Sequence, residues 1–290
     1  MSKLIGLFRK QRGSIGDVTL RILNGQTVVS EKVTKNSSKS RAQMTQRVQL
    51  RNIQNLWAAF NGSDRPSFES RPRTWSDANA FMSVNLGRIP VYLTAEEARQ
   101  GACVVAAYQV TRGSLPAIAV TTAQSGALQS DINVGTLNIT EETTLMEFSR
   151  AIVENNEGWM NGDQISFFNV KQSVNSVTHI PYVTVDAKEV TLDVTDDETL
   201  MVDLLGDSEG FTVVENKLGT TGPIQGGCTW VHSRRTASKT VVSTQNLIVN
   251  NQILSQYQST AKLEEAILSY GGKVTSLFLT PNTDEVIQGA

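Results

Sequence analysis

Gln164-Ile165-Ser166-Phe167-Phe168-Asn169-Val170-Lys171-Gln172-Ser173-Val174 is followed, after a short break, by Tyr182-Val183-Thr184-Val185-Asp186-Ala187-Lys188-Glu189-Val190-Thr191-Leu192-Asp193-Val194. Both stretches alternate apolar and polar residues, the two-residue period of a strand with one face buried, and they predict an antiparallel pair. Downstream, residues 211–214, 229–233 and 240–243 read as further strands. Upstream the period changes. Residues 18–23 and 26–30 flank Asn24-Gly25, the dipeptide that supplies both positive-φ positions of a type I′ turn, and predict a hairpin. Residues 40–60 then read as a helix capped by Ser38 or Ser40 and stopped by Asn61-Gly62. Leu50, Ile53, Leu56, Trp57 and Phe60 share one face, so its C-terminal half is expected to be buried, with Arg47 and Arg51 on the opposite side.

Ser76 or Asp77 caps a short helix through Leu86. Thr94-Ala95-Glu96-Glu97 and Thr144-Leu145-Met146-Glu147 are capping boxes that open two more, and a last helix is expected over 259–270. The apolar run 103–110 reads as a buried strand, and 113–139 as short strands broken by Pro116, Gly126 and Gly135. The fold class is therefore α+β. A basic N-terminal part of hairpin plus helices (1–125) precedes a strand-rich part (126–290), an antiparallel β sandwich or barrel-like unit with a few helices; the boundary falls within 113–140.

Of 290 residues, 39% are hydrophobic and 19% charged. Both shares are low, and the difference goes to Ser, Thr, Asn and Gln, which suits exposed β-structure and large contact surfaces. Cys103 and Cys228 each sit in an apolar run and read as buried thiols. The opening Met1-Ser2-Lys3-Leu4-Ile5-Gly6-Leu7-Phe8-Arg9-Lys10 has too short an apolar run for a signal peptide, and no stretch has the length of a membrane span; synthesis in the cytoplasm is expected, with no membrane partner.

Charge is distributed unevenly. Residues 1–55 hold 11 Lys/Arg and 2 Asp/Glu, while residues 141–210 hold 3 and 15, although the chain sums to −2. Such a split invites a partner at one end, either nucleic acid or another copy meeting basic end to acidic end. The expected partner-binding residues are Lys3, Arg9, Lys10, Arg12, Lys39, Arg41, Arg47 and Arg51. Phe8 is the only aromatic residue in the leading arm, so a nucleic-acid role would rest on phosphate contact rather than base stacking.

Catalytic signals are weak beside this. His179 and His232 have no partners at ligand or triad spacing and read as structural or surface residues. The stretch Gly219-Thr220-Thr221-Gly222-Pro223-Ile224-Gln225-Gly226-Gly227 lacks the ending of a phosphate loop and reads as a flexible connection. Asp193, Asp196, Asp197 and Glu198 lack the spacing of a calcium loop and are expected to charge the first turn of a short helix over 199–205. No catalytic residue, metal ligand or cofactor is expected. An enzyme built on Asp196 and Asp197 is the least favoured class.

Arg12-Gly13-Ser14-Ile15-Gly16-Asp17-Val18, Ser38-Lys39-Ser40-Arg41-Ala42-Gln43-Met44-Thr45-Gln46-Arg47 and Ser76-Asp77-Ala78-Asn79-Ala80-Phe81-Met82 resemble a family of Bacteroidota proteins carried by phages and other mobile elements, a domain of unknown function, over about the first 120 residues. Asn36-Ser37-Ser38 stands where that family has Asn-Pro. Gly162-Asp163-Gln164-Ile165-Ser166-Phe167-Phe168 and Val231-His232-Ser233-Arg234-Arg235 are similar to the strand-rich half of its long members. The resemblance implies no active site and a phage setting. The expectation is a non-enzymatic virion protein, such as a capsid accessory, connector ring or tail component, that contacts other virion proteins or its own copies. The alternative is a nucleic-acid-binding or packaging protein using the same basic segment.

Overall fold

The computed structural model describes residues 2–3, 12–23, 26–32, 40–60, 67–69, 71–72, 74–206 and 209–272. The chain parts into two compact units, Met1–Lys39 and Ser40–Ala290, so the expected boundary at 125/126 falls inside the larger one.

The smaller unit is a four-stranded antiparallel sheet of β1 (Ser2–Lys3), β2 (Gly13–Ile15), β3 (Val18–Leu23) and β4 (Gln26–Glu31), in the order β1-β4-β3-β2. The expected hairpin is β3–β4, in register from Val18↔Glu31 to Leu23↔Gln26. Its turn, Asn24-Gly25, lies outside the described residues. The leading segment does not begin as a free arm: Ser2 and Lys3 pair with Val29 and Val28, filling the backbone edge that β4 would otherwise leave open.

From Ser40 the elements are α1 (Arg41–Ala59), α2 (Asp77–Asn85), α3 (Ala95–Arg99), β5 (Gln109–Thr111), β6 (Val120–Thr122), β7 (Leu128–Asn133), α4 (Leu145–Asn155), β8 (Asp163–Val174), β9 (Pro181–Thr191), α5 (Met201–Leu205), β10 (Thr212–Val214), β11 (Lys217–Gly219), β12 (Gly226–Arg235), β13 (Thr240–Val242), β14 (Gln245–Asn246), β15 (Ile248–Asn250), α6 (Leu254–Tyr257) and α7 (Thr260–Ser269). Ser40 caps α1 and Ser76 caps α2, and both expected capping boxes close, at Thr94–Glu97 and Thr144–Glu147. The fold is α+β with antiparallel sheets, and the strands among the described residues form no closed barrel.

The central sheet has the order β13-β12-β8-β9, with β15 extending β12. β8 and β9 pair from Gln164↔Thr191 to Val174↔Pro181, as their alternation predicts. β12 covers the other edge of β8, from Gly226↔Lys171 to Arg234↔Asp163. Both faces of this sheet are covered. Phe168, Val170 and Val231 enter one core with Ile53, Leu56, Phe60, Phe81, Val104 and Tyr108. Ile165, Phe167, Cys228 and Trp230 enter a second core with Ile132, Phe148, Ile152, Phe211 and Leu218. The second core is a sandwich: the sheet β10-β11-β7-β6 and α4 close over the central sheet. Neither half of the chain holds a complete core alone, because β8 and β12 supply one wall of each.

Two expectations change in the first core. α1 is buried along its whole length, at Met44, Val48, Asn52, Ile53 and Leu56, while Leu50 and Trp57 are only half-buried. The apolar run 103–110 is buried, but strand pairing starts only at Gln109. Its backbone is satisfied by amide side chains instead. Asn52 Nδ2 donates to Val104 O (2.8 Å) and its Oδ1 accepts the Val104 N–H (2.8 Å). Gln172 Oε1 accepts the Val105 N–H (2.8 Å), and Asn251 Nδ2 donates to Val105 O (3.0 Å). Asn85 brackets Gln109 in the same way, with bonds of 2.7 and 2.9 Å.

The glycine-rich stretch 219–227 also differs from a flexible connection. Its ends belong to β11 and β12. A Cβ on Gly226 would lie 2.1 Å from Val170 O, and one on Gly227 would lie 2.8 Å from Val105 Cγ1. The glycines let β12 press against β8 and the 103–108 run.

Candidate functional site

The expected partner-binding residues fall in both units. Lys3 lies in β1 and Arg12 is exposed just before β2; Arg9, Lys10 and Lys39 lie outside the described residues. In the larger unit, Arg47 and Arg51 are exposed one turn apart on the outer face of α1. Arg41, half-buried at the start of that helix, reaches Glu264 at 4.0 Å. The structure thus brings Arg41, Arg47 and Arg51 together on one helix. It places the other described members on a separate body.

The acidic segment is largely a solvent face. Glu141, Glu142, Glu147, Glu154, Glu157, Asp197, Glu198 and Asp203 are exposed. Asp193 and Asp196 are engaged. Asp196 Oδ1 accepts the Thr199 N–H (2.9 Å) and its Oδ2 accepts from Thr199 Oγ1 (2.7 Å), while Asp193 Oδ1 accepts from Thr195 Oγ1 (2.6 Å). These bonds hold both carboxyls below the usual carboxylate range. They build turns ahead of α5 rather than its cap. The helix is shorter than expected, and its N-cap, Leu200, has no side-chain cap bond.

Next to this face lies a groove of about 510 Å³ between the stretch 139–141 and α5. Ile139, Met201, Val202 and Leu205 give it an apolar floor, and Glu141 lines it. Val202 is 39% and Leu204 is 43% exposed, high for apolar residues on a five-residue helix.

The buried polar centre was not foreseen from sequence. His232 Nε2 meets Asp163 Oδ2 at 2.9 Å, and Arg234 grips both oxygens of the same carboxylate at 2.6 and 2.7 Å. The Met160 N–H adds a bond of 3.0 Å to Oδ2. Trp159 stacks on the imidazole with ring centroids 3.8 Å apart. Asp163 is fully buried. Burial raises its carboxyl, but Arg234, the Met160 N–H and His232 outweigh that and hold it below the usual range. Burial lowers the His232 imidazole below its ordinary value, partly offset by Asp163. A bidentate arginine keeps the carboxylate ionised, and the group acts as a clamp that ties the 156–162 turn to the end of the central sheet. The segments 162–168 and 231–235 pair antiparallel in β8 and β12, which sets Arg234 opposite Asp163, a register that the sequence did not disclose. His232 also lines a cleft of about 360 Å³, together with Ile118, Asn133, Trp159 and Lys217. His179, by contrast, is exposed at the β8–β9 turn.

Cys103 and Cys228 are free and buried; burial pushes both thiols up, Cys228 to about 12. Among the described residues no group of three or more His, Cys, Asp or Glu is placed to hold a metal ion, and no helix is long and apolar enough to cross a membrane. No family model, curated protein or solved structure matches the chain.

Proposed function

We propose that the chain is a non-enzymatic structural protein of a phage particle, such as a capsid accessory, connector ring or tail component, and that it assembles through its basic segment and an acidic face on a neighbour. The observation that carries this reading is charge segregation between compact bodies. Met1–Lys39 holds 8 Lys/Arg and 2 Asp/Glu (net +6), whereas Ser40–Ala290 holds 18 and 26 (net −8). Opposite potentials on separate bodies favour contact between copies or with other virion proteins, setting register and on-rate while apolar patches supply affinity. The resemblance to mobile-element proteins favours the same setting. Exposed Arg47 and Arg51 keep phosphate contact as the competing use of the basic residues.

Sedimentation velocity at low and high salt tests the reading. The chain should associate at low salt and fall apart at high salt, and a triple variant, Arg12→Glu, Arg47→Glu and Arg51→Glu, should stay monomeric. A mass that responds to neither salt nor charge reversal overturns it. Steeply salt-dependent retention on DNA, abolished by Arg47→Glu plus Arg51→Glu, replaces it with the nucleic-acid reading.

A further inference from the structure

β9 forms one edge of the central sheet, and its hydrogen bonds settle which backbone groups face outward. Asn175 N–H donates to Ile180 O, and Leu192 N–H donates to Asp163 O (2.8 Å), so the even-numbered residues from 180 to 192 turn to β8. The odd-numbered residues turn away from it. Pro181 O is met there by the Cys103 N–H (2.9 Å). Beyond it, the N–H and C=O groups of Val183, Val185 and Ala187 have no hydrogen-bond partner among the described residues. The side chains of all three pack against the first core, which holds this stretch of edge in place. An ordered strand with unpaired backbone groups is a template for another strand.

The side chains beside Ala187 select which strand. Asp186 and Lys188 project from the other face of β9. Asp186 is exposed and Lys188 half-buried, and neither has an ion-pair partner among the described residues. Consider a second β9 laid antiparallel on the first with the two Ala187 residues facing. Val185 then meets Glu189 and Val183 meets Thr191. Asp186 of each copy falls directly opposite Lys188 of the other, twice across the axis. The two nearest registers instead set Asp186 against Asp186 or Lys188 against Lys188. Opposite charges directly across a ladder stabilise it and like charges destabilise it, so the strand is complementary to itself in one register.

We propose that β9 of one copy pairs antiparallel with β9 of a second copy about Ala187, extending the central sheet across a two-fold axis. The contact is isologous and distinct from the basic-to-acidic one, which can link such pairs into larger assemblies. A ladder over 183–191, about 30 Å long, is small for an interface, so the pair is transient and fills only in concentrated solution.

The triple variant Arg12→Glu, Arg47→Glu and Arg51→Glu removes the basic-to-acidic contact and isolates the edge. In sedimentation equilibrium it should be monomeric when dilute and become dimeric as its concentration rises. On that background Asp186→Lys and Lys188→Asp each set like charges across the axis and should dimerise about tenfold or more weakly. Neither position lies in a core, and thermal melting checks that both variants fold. Mixed in equal amounts, the two should recover the strength of their parent, because every charged pair in the mixed dimer again sets a cation against an anion. Hydrogen exchange reads the backbone: the amides of Val183, Val185 and Ala187 should slow as the dimer forms, while those of Thr184 and Asp186, already bonded to β8, should not change. The proposal is overturned if the triple variant stays monomeric at every concentration, if either charge variant dimerises like its parent, if the mixture gains nothing, or if the three amides exchange alike in monomer and dimer. The salt-dependent association of the unmodified chain tests the basic-to-acidic contact separately, so either contact can fail without the other.

Discussion

Phe167 and Phe168 are adjacent in the chain and enter different cores, and the two cores solve the same problem differently. Behind Phe167 the backbone is mostly paired in ladders, with Trp230 Nε1–H donating to Gly210 O at 2.7 Å. Behind Phe168 a buried segment has no ladder from 103 to 108; Asn52, Gln172 and Asn251 bracket Val104 and Val105 side chain by side chain, while Cys103 N–H donates to Pro181 O and Tyr108 O accepts from Leu247 N–H. A ladder tolerates change in side chains because the backbone itself supplies the bonds. An amide bracket concentrates the same duty in single residues, so the first core is the more fragile to polar substitution.

The largest expected effect lies where the sandwich does depend on one side chain. Asp163→Asn removes the charge that Arg234 and His232 share and should cost about 3–5 kcal/mol in urea unfolding. A cost below about 1 kcal/mol would make the clamp peripheral. Next is Asn52→Ala, which strands the Val104 N–H and C=O in a buried site and should cost about 2–4 kcal/mol. Hydrogen exchange should quicken at Val104 and Val105 before it does along β12; equal quickening on both sides would erase the contrast drawn here.

A pH titration makes a finer distinction. The folded state holds His232 below its ordinary value of 6.5, so its contribution is fully present above pH 6.5 and lost as pH falls below it. His232→Gln should flatten that limb of the stability curve, and an unchanged limb would assign it to another group. The smallest effect belongs to Glu69, buried beneath Lys239 and Ser114. The Lys239 bond leads the causes that lower its carboxyl from 4.5 to about 2. Its stabilisation is present above pH 4.5 and declines as pH falls towards 2. Lys239 is largely exposed, so Lys239→Met should trim that acid limb only slightly.

Much of the fold was legible because its signals are local. The alternation in 164–174 and 182–194, the capping boxes at Thr94 and Thr144, and the Ser40 and Ser76 caps each act within a few residues. What stayed hidden depends on distant partners. The run 103–108 has the apolar pattern of a strand, and only the arrival of Asn52, Gln172 and Asn251 decides that amides replace a ladder. Asp163 and His232 are 69 residues apart and meet through register, which no spacing rule reports. The acidic residues near 193–198 were visible; that two of them close turns while α5 begins later at Met201 was not.

The doubly covered central sheet bears on how the molecule is made. During synthesis, Asn52 precedes the segment 103–108, but the Val105 N–H waits for Gln172, the Val105 carbonyl for Asn251 and the Cys103 N–H for the Pro181 carbonyl. Contacts this distant in the chain form slowly, and the nascent polypeptide keeps apolar surface open for most of its translation. Maturation should therefore be a late, concerted event near completion of the chain, and truncations before β15 should accumulate as insoluble material rather than as a smaller folded domain.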